Sequence, residues 1–344
     1  MIDYQKIICS FRTLTELFAI KRMIFKSVLM QTSVPTTSPQ TQTLESHSYQ
    51  HVRIAYFIMV HHKPEVFKAM FQKIYTRDQF YLIHVDRKAK EEFTDEIQRY
   101  LIRFPNVYIL ESINIVSGGF SMIQAELDAM EFLLNVSQEW DYFVNLSGED
   151  YPLKSQNIIR KFLTENNGRN YLFYYDQKFY RPDTLKRIQN HFTELSYKIS
   201  SIIYKREFMK GVTPYIGGKW VIFTRDTCAF LANNKRVMNF EDYYLHTFLP
   251  AESFFQTVLM NTSFNDLIVN DDKRALIEKP IFGKKQTSDE LILFLKATNH
   301  LFIRKVNEKT EEQVMKYIEE SYDHPLPEID EVERELKMNK RQDN

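Results

Sequence analysis

Glu252 stands between Pro250 and the aromatics Phe254 and Phe255 in the segment EDYYLHTFLPAESFFQTVL (241–259). Further along, Arg304 and Lys305 lie side by side between Phe302 and Val306. A carboxylate in apolar surroundings is a candidate general base. Two adjacent cations, one a planar fork and one a point charge, are candidates to grip a diphosphate. Together they are the two parts that a glycosyl transfer needs when it runs without a metal ion. The 344 residues contain no Asp-x-Asp, the usual pair for holding such a metal.

These residues must be positioned by a folded body, and the composition allows one. A chain of 344 residues can bury a full core as one large or two ordinary domains. Hydrophobic residues at 44% and charged residues at 26% are those of a globular protein. The 27 Phe and 20 Tyr suit either a carbohydrate-facing cleft or an aromatic-rich core. A net charge of zero gives no broad electrostatic footprint, so nucleic acid is not expected as a partner. Two cysteines, Cys9 and Cys228, make no disulfide framework and point to a reducing compartment.

Residues 1–50 read as a leader and linker with little fixed order. The apolar residues of Ile7 to Met30 are interrupted by Arg12, Lys21, Arg22 and Lys26. No run approaches the ~18–20 apolar residues of a membrane span. A basic amphipathic helix lying on a membrane surface through residues 1–30 is one reading, and a poorly ordered leader is the other. Residues 31–50 are rich in Ser, Thr, Gln and Pro, as linkers are. A single domain is expected over 53–310, followed by a charged tail over 325–344.

Within that domain, strands and helices alternate. Apolar runs predict strands at Ile54–Val60, Phe80–Val85, Val107–Leu110 and Asp141–Leu146. Helices are expected from Pro64 to Tyr75, over Glu91–Arg103, after a Ser121 cap, and over Lys154–Glu165. This order implies βαβ units and a parallel sheet, with ligands beyond the carboxyl ends of the strands. Val60-His61-His62, Asp86 and Ser147-Gly148-Glu149-Asp150 each follow a strand, with Ser117-Gly118-Gly119 nearby. Asp86 reads equally as an acceptor for a ribose hydroxyl or base N–H or as a helix cap. Gly118-Gly119 reads more readily as a tight turn than as a close backbone approach to a ligand. His61 and His62 lack a third ligand at metal-site spacing, so no metal is expected. Residues 53–170 then form a nucleotide-sugar half and 171–310 an acceptor and catalytic half. In the latter, Gly217-Gly218-Lys219-Trp220 reads as a turn entering a strand, and Asn270–Arg274 as a solvated turn.

WDYFVNLSGEDYPLKS (140–155), LPAESFFQTVL (249–259), VNDDKR (269–274) and LFIRKV (301–306) fall in the order seen in the core 2 and I branching glycosyltransferases. RIAYFIMVHH and QFYLIHVDRKAKEEF at the front match as well, and over 53–310 the chain most resembles the peptide O-xylosyltransferase branch. The resemblance implies an α/β, GT-A-like glycosyltransferase fold with a Rossmann-like nucleotide-binding half. It implies a metal-independent, inverting enzyme with no cofactor that takes xylose or N-acetylglucosamine from a UDP-sugar. By the same resemblance Val60 and Asp86 hold the uridine, Glu252 is the base, Arg304 and Lys305 hold the diphosphate, and Arg274 supports that region. Leu249, Pro250, Phe254 and Phe255 are expected to keep water from the reacting carbon.

Ser117, Gly118, Asp150, Lys219 and Trp220 complete the expected donor and acceptor cleft. The chain departs from the xylosyltransferases at two of them. Ser117 replaces a Trp before the Gly-Gly, and Lys219 replaces an Asp before Trp220. The second exchange is on the acceptor side and weighs against a serine on a protein, so a glycan or lipid-linked sugar acceptor is expected ahead of a peptide. A cytoplasmic enzyme, peripheral at a membrane, is expected, with a Golgi protein as the alternative. An inactive protein of the same fold that binds a UDP-sugar or glycan is the alternative function.

Overall fold

The computed structural model describes residues 51–196, 198–277, 287–306, 310 and 312–326. The proposed leader, linker and membrane contact, and most of the tail, lie outside the described residues. Strand β1 (Ile54–Val60) alternates its side chains between two cores. Ile54, Tyr56, Ile58 and Val60 face one core, while Ala55 and Phe57 face the other. Both faces of such a strand are covered, which is why it reads as an unbroken apolar run. β2 (Phe80–Val85), β3 (Val107–Leu110) and β4 (Tyr142–Ser147) lie parallel to it in the order β3-β2-β1-β4. That is the Rossmann-like order of a nucleotide-binding half.

The helices sort by face. α1 (Pro64–Ile74), α2 (Glu91–Leu101) and α4 (Gln156–Glu165) pack on one side, through residues such as Phe71, Ile97 and Leu163. α3 (Ser121–Val136) packs on the other, with Ile123, Met130 and Leu133 buried. Ser121 is the first residue of α3 rather than its cap. Its Oγ accepts from Val116 N at 2.9 Å, which spends the hydroxyl on the preceding loop.

The sheet is mixed beyond β4. Apart from it, β7 (Asn190–Glu194) and β8 (Ile199–Lys205) form an antiparallel hairpin. Within it, β9 (Tyr215–Thr224) runs antiparallel between β4 and β6 (Asn170–Asp176), and the two-residue β10 (Ile268–Val269) closes that edge parallel to β6. Gly217 and Gly218 therefore lie inside a ten-residue strand and not in a turn before it. The ladder with β6 shifts register between Leu172 and Tyr174, and the Phe173 carbonyl closes on Gly217 so tightly that no Cβ fits. Segment 270–274 is likewise no solvated turn, for Asp272, Lys273 and Arg274 are all buried. They lead into β11 (Arg274–Leu276) of a small sheet with β12 (Phe302–Arg304) and β5 (Asp150–Pro152). A helix at Glu312–Glu320 buries Val314 and Ile318 in the same core, so the packed body runs past residue 310. Among the described residues, no helix is long and apolar enough to cross a membrane.

Candidate active site

The carboxyl ends of β1, β2 and β4 open into a cleft of about 500 Å³. Val60, Asp86, Ser117, Lys219, Trp220, Arg304 and Lys305 line it, with Met59, His61, His62, His84, Lys88, Gly148 and Glu149 among their neighbours. Gly118, Asp150, Arg274 and Glu252 do not. β9 reaches the cleft because its antiparallel course brings its early residues alongside the end of β4. The ladder there stops at Val144 and Ile222, and the buried Asn145 side chain takes it over. Asn145 Nδ2 donates to the Lys219 carbonyl at 2.9 Å, and its Oδ1 accepts from Val221 N at 2.8 Å.

Asp86 uses Oδ1 to accept from Lys88 N at 2.9 Å, which fixes the turn after β2; α2 starts five residues later without its help. Ser117 borders the cleft, while Gly118 turns away at φ +84°, against Phe248 and Leu249. That backbone conformation suits glycine, as a tight turn requires. Trp220 is nearly buried and forms part of the wall. The Arg304 guanidinium lies 4.3 Å from its ring centroid and Lys219 Nζ 5.1 Å, both within cation–π range.

Two acids hold the cations, Asp150 from behind and Glu149 from the lining of the cleft. Asp150 is fully buried, and its Oδ2 accepts from Ser147 N and Oγ at 2.7 Å each and from Arg304 Nη1 at 3.1 Å. Arg304 Nη1 also donates to Ser147 Oγ at 2.6 Å. Arg274 is completely buried behind this pair, with Nη2 donating to the Asn145 carbonyl at 2.8 Å and Nε 3.9 Å from Asp150. It supports the wall and does not reach the cleft. Lys305 is 56% exposed and pairs with Glu149 at 2.9 Å. Among the lining residues, Lys88, Lys219, Arg304 and Lys305 outnumber Asp86 and Glu149, a balance that favours a polyanion.

Glu126 on α3 was not singled out from sequence. It is buried, one oxygen accepting from Asn145 Nδ2 at 2.8 Å and the other without a hydrogen-bond partner. Burial pushes its carboxyl up to about 8, although Asn145 and Lys219 pull it the other way. Burial, helped by Arg304, lowers the Lys219 ammonium below its ordinary value. A carboxyl inside the apolar pattern IQAELDAM, and an amide inside VNLS, were the only sequence signals for this pair.

Glu252 is not in the apolar setting expected of it. It ends a short 3₁₀ turn, Pro250–Glu252, with its side chain 38% exposed, and its Oε2 accepts from Arg187 Nη1 at 2.6 Å. Pro250, Phe254 and Phe255 are buried, the two phenylalanines in the core, so they do not form the water shield expected of them. Leu249 N donates to the Gly118 carbonyl at 2.8 Å, which ties this turn to the loop bordering the cleft. Among the described residues, no group of three or more His, Cys, Asp or Glu is placed to hold a metal ion.

A family model, Core-2/I-Branching enzyme, matches residues 54–278. The chain belongs to this family. A xylosyltransferase of Ciona intestinalis is 28% identical over 231 residues, covering 65% of this chain and 27% of that protein. The mouse N-acetyllactosaminide beta-1,6-N-acetylglucosaminyl-transferase is 28% identical over 208 residues, 60% of this chain and 52% of its own length. The rat beta-1,3-galactosyl-O-glycosyl-glycoprotein beta-1,6-N-acetylglucosaminyltransferase 3 is 27% identical over 211 residues, 60% and 46%. The chain thus spans a quarter to a half of the length of these curated relatives. The mannosyltransferase Ktr4p of S. cerevisiae covers 77% of this chain and 78% of its own at 11% identity and a TM-score of 0.29, too slight to bear on the fold. The matched stretch takes in the strand-end loops and the Glu252 turn, while the Arg304-Lys305 pair, at the end of β12, lies beyond it.

Proposed function

We propose that this family member is a glycosyltransferase that moves xylose or N-acetylglucosamine from a UDP-sugar to an acceptor hydroxyl, with inversion and without a metal ion. The observation that carries the reading is the cleft at the strand ends, walled by Trp220, Arg304, Lys219 and Lys305. In a GT-A-like reading of the fold, Val60 and Asp86 receive the uridine and the cations receive the diphosphate.

Glu252 accepts the proton of the acceptor hydroxyl, whose oxygen bonds to the anomeric carbon as the bond from that carbon to the β-phosphate oxygen breaks. The electron pair leaves with UDP. A positioned carboxylate contributes ~10²–10⁴-fold as a general base. Fixed cations aimed at the leaving charge are worth about 3–4 kcal/mol. Arg187 sets the direction of the Glu252 carboxylate, and Asp150 holds Arg304 to the wall. The acceptor is a hydroxyl on a glycan, lipid-linked sugar or peptide.

The test is a thermal-shift titration in EDTA with UDP, UDP-xylose, UDP-N-acetylglucosamine, UDP-glucose and UDP-galactose. A ligand that binds only the folded state raises Tm. A clear rise with UDP, larger for one of the first two sugar nucleotides, is expected. No rise at millimolar concentration removes the donor assignment, and a rise that appears only when a divalent ion replaces EDTA removes metal independence.

A further inference from the structure

Two lysines and a histidine from two separate segments converge on one carboxylate at the mouth of the cleft. Glu149 Oε1 lies 2.9 Å from Lys63 Nζ and 3.4 Å from His62 Nε2, and Oε2 lies 2.9 Å from Lys305 Nζ. Only 7% of the Glu149 side chain is exposed, yet it lines the cleft together with His62 and Lys305. Burial opposes its charge, but hydrogen bonds from Lys63 and Lys305 win and hold the carboxyl at about 2. It is an anion at every working pH.

The contrast with its neighbour is instructive. Asp150 faces inward, is fully buried, and is bound by the Ser147 backbone, the Ser147 hydroxyl and Arg304. It is a fixed part of the wall. Glu149 instead faces the cleft, and its partner Lys305 has a half-exposed ammonium on a flexible stem. An ammonium has three donors and no preferred plane, so it can turn from a carboxylate to a phosphate with little strain.

From this we infer that Glu149 is an internal counter-anion to the diphosphate: carboxylate and nucleotide compete for the ammonium of Lys305, and Glu149 takes it back as UDP leaves. The inference rests on the donor site proposed above. It assigns Glu149 a part in product release, with Lys63 as the partner that the carboxylate keeps when Lys305 turns away. A clamp made only of cations would bind UDP tightly and release it slowly. A resident anion within reach of one of them weakens the product complex and leaves Arg304, held by Asp150, in place.

The experiment is calorimetric titration of UDP, in EDTA, into wild-type protein and into Glu149→Gln, Lys305→Ala and the double variant, with dissociation rates by stopped flow. Glu149→Gln is expected to tighten UDP by about 3- to 10-fold, the scale of a partly exposed ion pair, mainly through slower dissociation. In the Lys305→Ala background the tightening should shrink, because the two residues act through one contact. Glu149→Met is the second variant if the amide fails to fold, as judged by a cooperative melt. A folded Glu149 variant that binds UDP equally well or more weakly overturns the counter-anion and leaves the donor site standing. Wild-type protein that binds no UDP overturns both together.

Discussion

Arg187 Nη1 lies 2.6 Å from Glu252 Oε2, an ion pair between residues 65 apart in the chain. The pair replaces the apolar pocket that a lone carboxylate among aromatics suggested. It fixes where the carboxylate points, which a base needs as much as it needs charge. Glu252→Gln is expected to lower turnover by ~10²–10⁴-fold while UDP affinity stays within ~2-fold. Arg187→Met should cut kcat by roughly 10-fold with UDP affinity unchanged, since it removes orientation but leaves the base. Steady-state rates beside UDP calorimetry separate the two effects, and unaltered turnover in Glu252→Gln removes the base assignment.

Arg304 and Lys305 adjoin in sequence but differ in setting, at 12% and 56% exposed. Both Ala variants should weaken UDP binding, and only one should weaken the fold. Arg304→Ala strips a charged partner from the buried Asp150 and should cost about 1–3 kcal/mol of stability. Lys305→Ala leaves Glu149 its Lys63 partner and should cost less than about 1 kcal/mol. Urea melts of the two proteins measure the difference, and equal losses would contradict the burial assigned to the pair.

Glu126 should give the protein an alkaline weakness. Its carboxyl, ordinarily near 4.5, is pushed up to about 8 by burial. Between those values the folded chain keeps a proton that the unfolded chain has lost. Stability is therefore full below the lower value and falls as pH rises toward the upper one, by at most about 1.4 kcal/mol per pH unit. Glu126→Gln should flatten that limb and melt higher than wild type at pH 8.5. Parallel melts from pH 5 to 9 test it, and identical slopes would place the wild-type carboxyl lower than burial implies.

An acid limb should come from groups shifted the other way. Glu149 and Asp271 are both held at about 2, despite burial, by Lys63 and Lys305 in one case and by Lys273 and His300 in the other. Their stabilisation is present above the ordinary carboxylate range and is lost as pH falls through it toward 2. Melts from pH 5 down to 2.5 should show the loss, and it should be smaller in Glu149→Gln. An unchanged acid limb in that variant would argue against the two-lysine clamp on Glu149.

Gly217→Ala tests the strand that carries the wall. A Cβ there meets the Phe173 carbonyl, backbone that cannot swing aside. A loss of about 1–3 kcal/mol is expected, together with weaker UDP binding, because Lys219 and Trp220 follow directly. Gly168→Ala, which has open space around it but φ +84°, shows backbone strain without a clash and serves as the contrast.

The strands β1, β2 and β3 were readable to the residue because each is an apolar run bounded by polar turns, and all three are parallel strands. The residues at their ends followed from the rule for such sheets. What escaped was set by long-range packing. Gly217-Gly218 resembles a turn until Phe173 is known to lie against it, and Asn270–Arg274 resembles a solvated loop until the small sheet buries it. Arg187 and Lys63 carry no local signal, for their meaning comes from the carboxylates they meet. Ser121, next to an apolar helix, looked like a cap, but the preceding loop claimed its hydroxyl.

Trp220 belongs to a strand of the second half, yet the guanidinium resting on it arrives from β12 and the ammonium beside it from its own neighbour. One indole is thus a wall common to Arg304 and Lys219, two of the charges that would face the leaving group. A change of donor by way of this wall would disturb leaving-group chemistry at the same stroke. The rim, at Ser117 and Met122, carries no such obligation. Adaptation toward a new sugar is therefore channelled to the rim, and a library that spares Trp220 and varies those two positions explores donor choice without dismantling catalysis.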